Sequence, residues 1–156
     1  MAERSVAHAT FVVERTYDAA PARVFAAYAD PASKSRWFSG PEEWESGAYA
    51  LDFRVGGRER ASGGPAGGPV HLYEACYQDI VPDARIVSTY VMYLDEARIS
   101  VSVATVEFKA KGTGTHLVYT EQGVFLDGHD YPAQRERGTG DLLDALGVHL
   151  RSARAS

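Results

Sequence analysis

The pattern of apolar positions in residues 11–41 changes from that of a strand to that of helices. Residues 11–17 are rich in β-branched and aromatic types, which favour a strand. Pro21 and Pro31 each stand where the first turn of a helix needs no amide donor. The first helix has an apolar stripe of Val24, Phe25 and Tyr28. The sequence therefore predicts a strand followed by two short helices, the second closing at Trp37 and Phe38.

The middle of the chain has the two-residue alternation of strands, with turn residues at fairly even intervals. Apolar residues at 49, 51, 53 and 55 alternate with other types, which is typical of a strand with one buried face. A short strand at about 58–61 is left open, and further strands are predicted at about 70–80, 85–94, 99–109 and 116–125. The glycine-rich segment 62–69 is predicted to be a mobile hairpin loop. Consecutive strands of this kind are expected to pair antiparallel.

Helical spacing returns at the C-terminal end of the chain. The predicted apolar face consists of Leu142, Leu143, Leu146 and Leu150. Pro132 suits the first turn of this helix. Gly138 and Gly140 fall inside it, and each costs roughly 1 kcal/mol relative to alanine. We therefore expect a helix that lies on a sheet and that bends or breaks near these glycines.

Several short motifs occur in a characteristic order along the chain. They are Arg15, Ala20-Pro21, Val24-Phe25, Asp30-Pro31, Trp37, Pro41, Gly56-Gly57, Val81-Pro82-Asp83-Ala84-Arg85, Gly114-Thr115-His116-Leu117 and Thr120-Glu121-Gln122-Gly123. In this order they resemble the START-like (SRPBCC) superfamily, and within it the family of homologues of the activator of Hsp90 ATPase. The resemblance covers nearly the whole chain, so we expect a single domain over residues 1–156.

The resemblance implies an α+β helix-grip fold. Its parts would be a curved antiparallel sheet of about six strands, two short helices after the first strand, and a long C-terminal helix across the sheet. The helix and the sheet would enclose a cavity. Because this fold hosts lipid carriers, hormone receptors, cyclases and chaperone cofactors, the resemblance alone does not select a function.

Length, charge and cysteine content exclude several classes of protein. The 156 residues, 45% of them hydrophobic, are enough to bury a sizeable core. A net charge of -5 argues against nucleic-acid or anionic-membrane partners, so a small organic ligand or a protein is favoured. Cys76 is the one cysteine, which excludes an internal disulfide and fits a cytoplasmic protein. No targeting segment is apparent, and no apolar run approaches the roughly 20 residues that span a bilayer.

No motif predicts a metal or a cofactor. The glycine-rich residues 56–68 lack the Gly-Lys-Ser/Thr ending of a phosphate-binding loop. The five histidines have no paired metal-ligand spacing, and Cys76 has no Cys-x-x-Cys partner. We interpret Cys76 as a partly buried strand residue, because no cysteine-nucleophile signature surrounds it.

Glu121 is the most prominent acid-base candidate. It alternates with Leu117 and Tyr119, so its side chain points to the same face of the strand as theirs. On a concave face it would stand near an apolar cavity and suit proton transfer or the binding of a polar ligand group. The alternative is a salt-bridged or rim carboxylate near a strand end.

The aromatic content is the strongest indication of a ligand site. Nine tyrosines and two tryptophans offer apolar walls with polar tips. Tyr73 and Tyr77 share one face of their predicted strand, and Tyr90 shares a face with Met92 on the next. The predicted ligand-binding residues are Trp37, Tyr73, Tyr77, Tyr90, Met92 and Glu121. The alternative for each aromatic residue is packing in the core.

Two classes of function remain open. We favour a cytoplasmic protein that binds or carries a small hydrophobic or aromatic molecule, is not an enzyme and has no catalytic residue. The alternative is a cyclase-type or hydrolase-type enzyme in which Glu121 and tyrosine hydroxyls move protons. The resemblance also implies activation of a chaperone ATPase. We rank this third because the first strand begins by about residue 9, which leaves no room for an additional N-terminal chaperone-binding domain. An exposed strand edge could form a homodimer.

Overall fold

A computed structural model describes residues 3–155 of the chain. The elements of the described chain are β1 (Val6–Tyr17), α1 (Pro21–Ala29), α2 (Pro31–Trp37), β2 (Glu45–Leu51), β3 (Arg58–Gly64), β4 (His71–Val81), β5 (Arg85–Leu94), β6 (Ala97–Lys111), β7 (Gly114–Leu126) and α3 (Pro132–Ala155). This is the predicted order of one strand, two short helices, consecutive strands and a long C-terminal helix. None of the described helices has the length and apolar character needed to cross a membrane.

The strands form one antiparallel sheet in the order β1-β7-β6-β5-β4-β3-β2. The sheet has seven strands and not the predicted six. The additional strand is β3, which the pattern indicated only as a short segment at 58–61 and which pairs with both β2 and β4. A helix-grip architecture of the α+β class is confirmed.

Two of the predicted boundaries were wrong. Residues 62–64 belong to β3 and not to a loop. A Cβ on Gly64 would lie 2.1 Å from the carbonyl oxygen of Pro69, so glycine serves here for close approach of two backbones and not for mobility. The strand predicted at 49–55 ends at Leu51, because the chain then turns through Gly56 in the left-handed region at φ 83°.

Helices α1 and α2 pack on one half of the sheet around an aromatic core. Asp30 caps α2 by accepting a hydrogen bond from the Ser33 amide at 3.2 Å. Trp37 is buried at the end of α2, and its indole nitrogen donates to the Ala27 carbonyl of α1 at 3.1 Å. The Phe25 ring of α1 meets the Phe108 ring of β6 edge-on at 5.5 Å. Hydrophobic burial and aromatic contacts therefore hold these helices on the sheet.

Helix α3 runs without interruption, so the predicted bend or break at Gly138 and Gly140 does not occur. The apolar face is confirmed, since Leu143, Leu146 and Leu150 are buried and Leu142 is half-buried. A Cβ on Gly147 would lie 3.3 Å from the Tyr17 ring, and the Tyr17 hydroxyl donates to the Leu143 carbonyl at 2.7 Å. Because Gly147 has no side chain, α3 can approach β1 closely.

Truncating the buried face of α3 should destabilise the fold. Leu146 is fully buried, so we expect Leu146→Ala to lower the free energy of unfolding by about 2–5 kcal/mol. Val148→Ala is the matched control on the exposed side of the same helix, and its effect should stay within about 0.5 kcal/mol. Urea denaturation measures both, and equal effects would contradict the packing described here.

Candidate functional site

The inner face of the sheet has small residues at its centre and two buried carboxylates. The small residues are Ala75, Ser88, Ser100, Ser102, Ala104 and Gly123. The carboxylates are Glu59 of β3, 1% exposed, and Glu121 of β7, 0% exposed. Because an unpaired buried charge is costly, each of them needs a complete set of partners.

Hydroxyl groups surround Glu121. Its Oε2 accepts from the Tyr90 hydroxyl at 2.7 Å and from Ser102 Oγ at 2.8 Å, and its Oε1 accepts from the Tyr119 hydroxyl at 2.7 Å. The predicted alternation with Leu117 is confirmed, so the side chain points inward. The rim position in the alternative is wrong, since Glu121 is fully buried. The salt bridge in the alternative is present, to Arg135 Nη1 at 3.4 Å.

Arg135 stands in the first turn of α3 and brings a positive charge to this network. Its Nη1 donates to the Tyr90 hydroxyl at 2.9 Å, and its Nη2 donates to Ser100 Oγ and Asp130 Oδ2, both at 2.8 Å. Burial lowers the pKa of Arg135, but the neighbouring Tyr90, Glu121 and Asp130 outweigh it and raise that pKa above its usual value. Arg135 therefore stays charged.

The Glu59 carboxylate has an equivalent set of partners at the α2 side of the sheet. Lys34 Nζ of α2 and the Tyr77 hydroxyl reach Oε1 at 2.8 and 2.7 Å, and the Tyr49 hydroxyl reaches Oε2 at 2.6 Å. Lys34 is 3% exposed, and its Nζ lies 4.4 Å from the centre of the Phe38 ring. The pair is thus fully enclosed by the protein.

Tyr73 of β4 lies between the two carboxylate networks. Its ring centre is 4.8 Å from that of Tyr90 and 5.0 Å from that of Phe38. Met92 is its cross-strand neighbour on β5. Among the described residues the Tyr73 hydroxyl has no hydrogen-bond partner, whereas the hydroxyls of Tyr49, Tyr77, Tyr90 and Tyr119 all donate to a carboxylate. The half-buried Tyr73 thus offers an available polar group.

His71 and Trp44 continue this arrangement toward the end of the sheet. His71 shares the inner face of β4 with Tyr73, and its ring stacks on Trp44 at 4.6 Å. Burial lowers the pKa of His71; Asp130 opposes this shift and Arg135 adds to it, so His71 lies within the field of both. We call the half-buried residues Trp44, His71, Tyr73, Met92 and Arg135 the rim cluster.

The structure brings together four of the six predicted site residues. Tyr73, Tyr90 and Met92 pack in one cluster, and Tyr90 links them to Glu121. Trp37 and Tyr77 lie instead in the main core, 2% and 3% exposed, with their polar atoms bonded to Ala27 and Glu59. For these two residues, packing in the core is the observed environment.

Five further residues complete the site, and no sequence motif marked them as site residues. They are Lys34, Glu59, His71, Asp130 and Arg135. A weak signal existed for two of them. Lys34 precedes the buried Trp37 by three positions, and Arg135 precedes the buried Leu146 by eleven, so each shares a helix face with an apolar residue.

Two prominent surface depressions lie away from the rim cluster. One lies between β1 and α3, and the other is on the outer face of the sheet. None of the six predicted ligand-binding residues lines either of them. The space between the rim cluster and Glu121 is occupied by side chains, chiefly Tyr73, Tyr90 and Tyr119.

Comparison with known proteins places this geometry in a family. The family model described as activator of Hsp90 ATPase homolog 1-like protein matches residues 18–151. The chain belongs to this family. Its members' helix-grip fold agrees with the sheet and helices described above. None of the curated proteins is similar enough to count as a match.

Solved structures of bacterial proteins resemble the chain over nearly its full length. A putative uncharacterized protein from Rhizobium leguminosarum is 47% identical, with a TM-score of 0.91 over 96% of this chain and 99% of that one. A protein from Rhizobium loti is 46% identical, with a TM-score of 0.86 over 93% and 99%. An AHSA1-like protein from Aeromonas hydrophila is 19% identical with a TM-score of 0.72 over 95% and 96%, which shows the fold alone.

Breaking the Lys34–Glu59 pair should be costly. Lys34→Met leaves a buried carboxylate without its cation, so we expect a loss of about 3–5 kcal/mol in the free energy of unfolding. The double variant Lys34→Met/Glu59→Gln should lose less than the sum of the two single variants, by about 0.5–3 kcal/mol. Urea denaturation provides all the values needed.

The exposed pair Arg54–Asp52 provides the control. Its side chains are 70% and 55% exposed, so Arg54→Met should cost at most about 1 kcal/mol. Additive effects of the two buried substitutions would contradict a direct Lys34–Glu59 interaction.

Proposed function

We propose that the protein binds and carries a small, largely hydrophobic molecule in the cytoplasm. The ligand would lie between α3 and the inner face of the sheet, in contact with Tyr73, Tyr90 and Met92. The observation that carries this proposal is the hydroxyl of the half-buried Tyr73, which lacks a hydrogen-bond partner among the described residues. The rings of Phe38 and Tyr90 pack against the Tyr73 ring. A single available polar group on an apolar wall is typical of sites that orient organic ligands.

The superfamily gives a second line of support. START-like domains often bind hydrophobic ligands, and this chain has their sheet and long C-terminal helix. Six residues at the centre of the inner face are small, and the rings of Tyr73, Tyr90 and Tyr119 fill the space next to them. Among the described residues Tyr73 has no hydrogen bond to lose, so a ligand would enter by displacing its ring.

The geometry around Glu121 favours binding over catalysis. Three hydroxyl groups and a guanidinium already occupy its two oxygens. A general base needs a free lone pair within about 3 Å of the proton that it removes. Glu121 is therefore better suited to holding Tyr90, Tyr119 and Arg135 in place around a ligand than to accepting a proton.

The chain contains built-in reporters for testing this site. It has two methionines and two tryptophans. Met92 and Trp44 belong to the rim cluster, whereas Trp37 is buried in the core. Titration with an uncharged apolar dye, N-pentyl dansylamide, should shift the Met92 methyl and Trp44 indole NMR signals saturably at one dye per chain. The Trp37 indole signal should hardly move. No saturation, or equal shifts in the Trp37 and Trp44 signals, would contradict the proposal.

A second experiment separates a carrier from an enzyme. Native mass spectrometry of protein purified from its own host would identify a co-purifying compound. For a carrier, Glu121→Gln should leave the compound unchanged chemically and alter its calorimetric affinity modestly, since the amide preserves the size of the side chain. If turnover by the wild type fell about 100-fold or more in this variant at near-constant affinity, Glu121 would be a catalytic group and the carrier proposal would be wrong.

A further inference from the structure

The ionised side chains around the proposed ligand position do not balance. Glu59, Glu121 and Asp130 contribute three carboxylates, while Lys34 and Arg135 contribute two cations. All five side chains are at most 15% exposed. The interior therefore has an excess of one negative charge.

Burial strengthens the interaction between this excess negative charge and a charged group on a ligand. Two unit charges interact several times more strongly near a protein interior than in water, because the effective dielectric constant is lower. His71 does not compensate for the excess, since burial lowers its pKa and keeps its imidazole neutral at pH 7. An anionic ligand group would be repelled here, and a cationic group would be attracted.

Aromatic rings provide a second, independent preference for a cation. The protein's own cations already lie over aromatic rings, with Arg135 5.6 Å from the centre of Tyr90 and Lys34 4.4 Å from that of Phe38. The ring of Tyr73 lies between Tyr90 and Phe38, and its hydroxyl oxygen has a lone pair available to a donor. A ligand ammonium near Tyr73 would therefore find both a π face and an acceptor.

The loops at this end of the sheet have the same sign of charge. Glu42 and Glu43 flank Trp44 on its N-terminal side, and Asp95 and Glu96 form the β5–β6 turn; all four are exposed. Arg4 and Arg98 lie at the same end. Arg4 is paired with Asp127 at 2.9 Å, so of these two arginines only Arg98 offsets the four carboxylates, and a negative excess remains. An excess of negative potential around a site attracts cations from solution.

We infer that the ligand is an apolar or aromatic molecule with a protonated amine, bound with the amine between Tyr73 and the Asp130–Glu121 carboxylates. This inference rests on the proposed function and specifies its ligand class. Arg135 now bridges these carboxylates, and a ligand amine would share them with it or replace it.

Three dyes that differ only at the end of one alkyl chain test the charge preference. Dansylcadaverine ends in an ammonium group, dansylaminohexanoate in a carboxylate, and N-pentyl dansylamide in a methyl group. At low ionic strength we expect the cationic dye to bind at least about 10-fold more tightly than the anionic dye, with the neutral dye between them. Added salt should narrow the difference. Dansyl fluorescence and calorimetry measure the dissociation constants.

A matched pair of variants tests the residues. Asp130→Asn keeps an acceptor oxygen for the Tyr131 amide but removes the charge, so the ratio between the cationic and anionic dyes should fall about 3-fold or more. Glu136→Gln, at an exposed position on α3 outside the site, should leave the ratio unchanged. The inference would be overturned if the anionic dye bound as tightly as the cationic dye or more tightly, or if the two variants had equal effects. In either case, binding of the neutral dye would still support the proposed function. Failure of all three dyes to bind would overturn both.

Discussion

The burial of two carboxylates on the inner face of the sheet is the constraint on which the arrangement of the helices depends. Each carboxylate needs a cation, and each cation comes from a helix: Lys34 of α2 pairs with Glu59, and Arg135 of α3 pairs with Glu121. Hydrophobic packing holds the helices on the sheet, and each buried ion pair adds a fixed point to that packing. Separating a buried charge from its partner costs several kcal/mol.

Contacts between β1 and the middle of α3 determine how far Arg135 reaches into the site. There Tyr17 donates to the Leu143 carbonyl, and Arg15 pairs with Asp144 at 2.7 Å. Gly147 leaves room for the Tyr17 ring, so the helix axis lies close to β1. These contacts orient the whole helix. The first turn of α3 lies over Tyr90 and Phe125, with the Arg135 guanidinium 5.6 Å and 5.2 Å from the two ring centres.

Local patterns predicted the elements well and the site only in part. Alternation correctly placed Glu121 on the face of Leu117. It could not show that Lys34 and Arg135 are buried, because a lone cation on a helix is normally solvated and its partner is distant in sequence. Lys34 is 25 residues from Glu59, and Arg135 is 14 from Glu121. Only the packing of α2 and α3 on the sheet, which the sequence does not encode locally, brings such partners together. The same limit explains why local patterns could not distinguish Trp37 and Tyr77, which lie in the core, from Tyr73, which lies at the site.

The network that stabilises the fold also restricts what can enter it. The three hydroxyl donors of Glu121 lie on the sheet, whereas its cation, Arg135, lies in the first turn of α3. A ligand that moves Arg135 aside exposes a buried carboxylate to an apolar environment, which is unfavourable unless the ligand replaces the lost charge. A neutral hydrocarbon would therefore have to bind beside Arg135, above the Glu121 network. A molecule with its own positive group could reach the floor of the site, so the stability of the fold and the choice of ligand depend on the same ion pair.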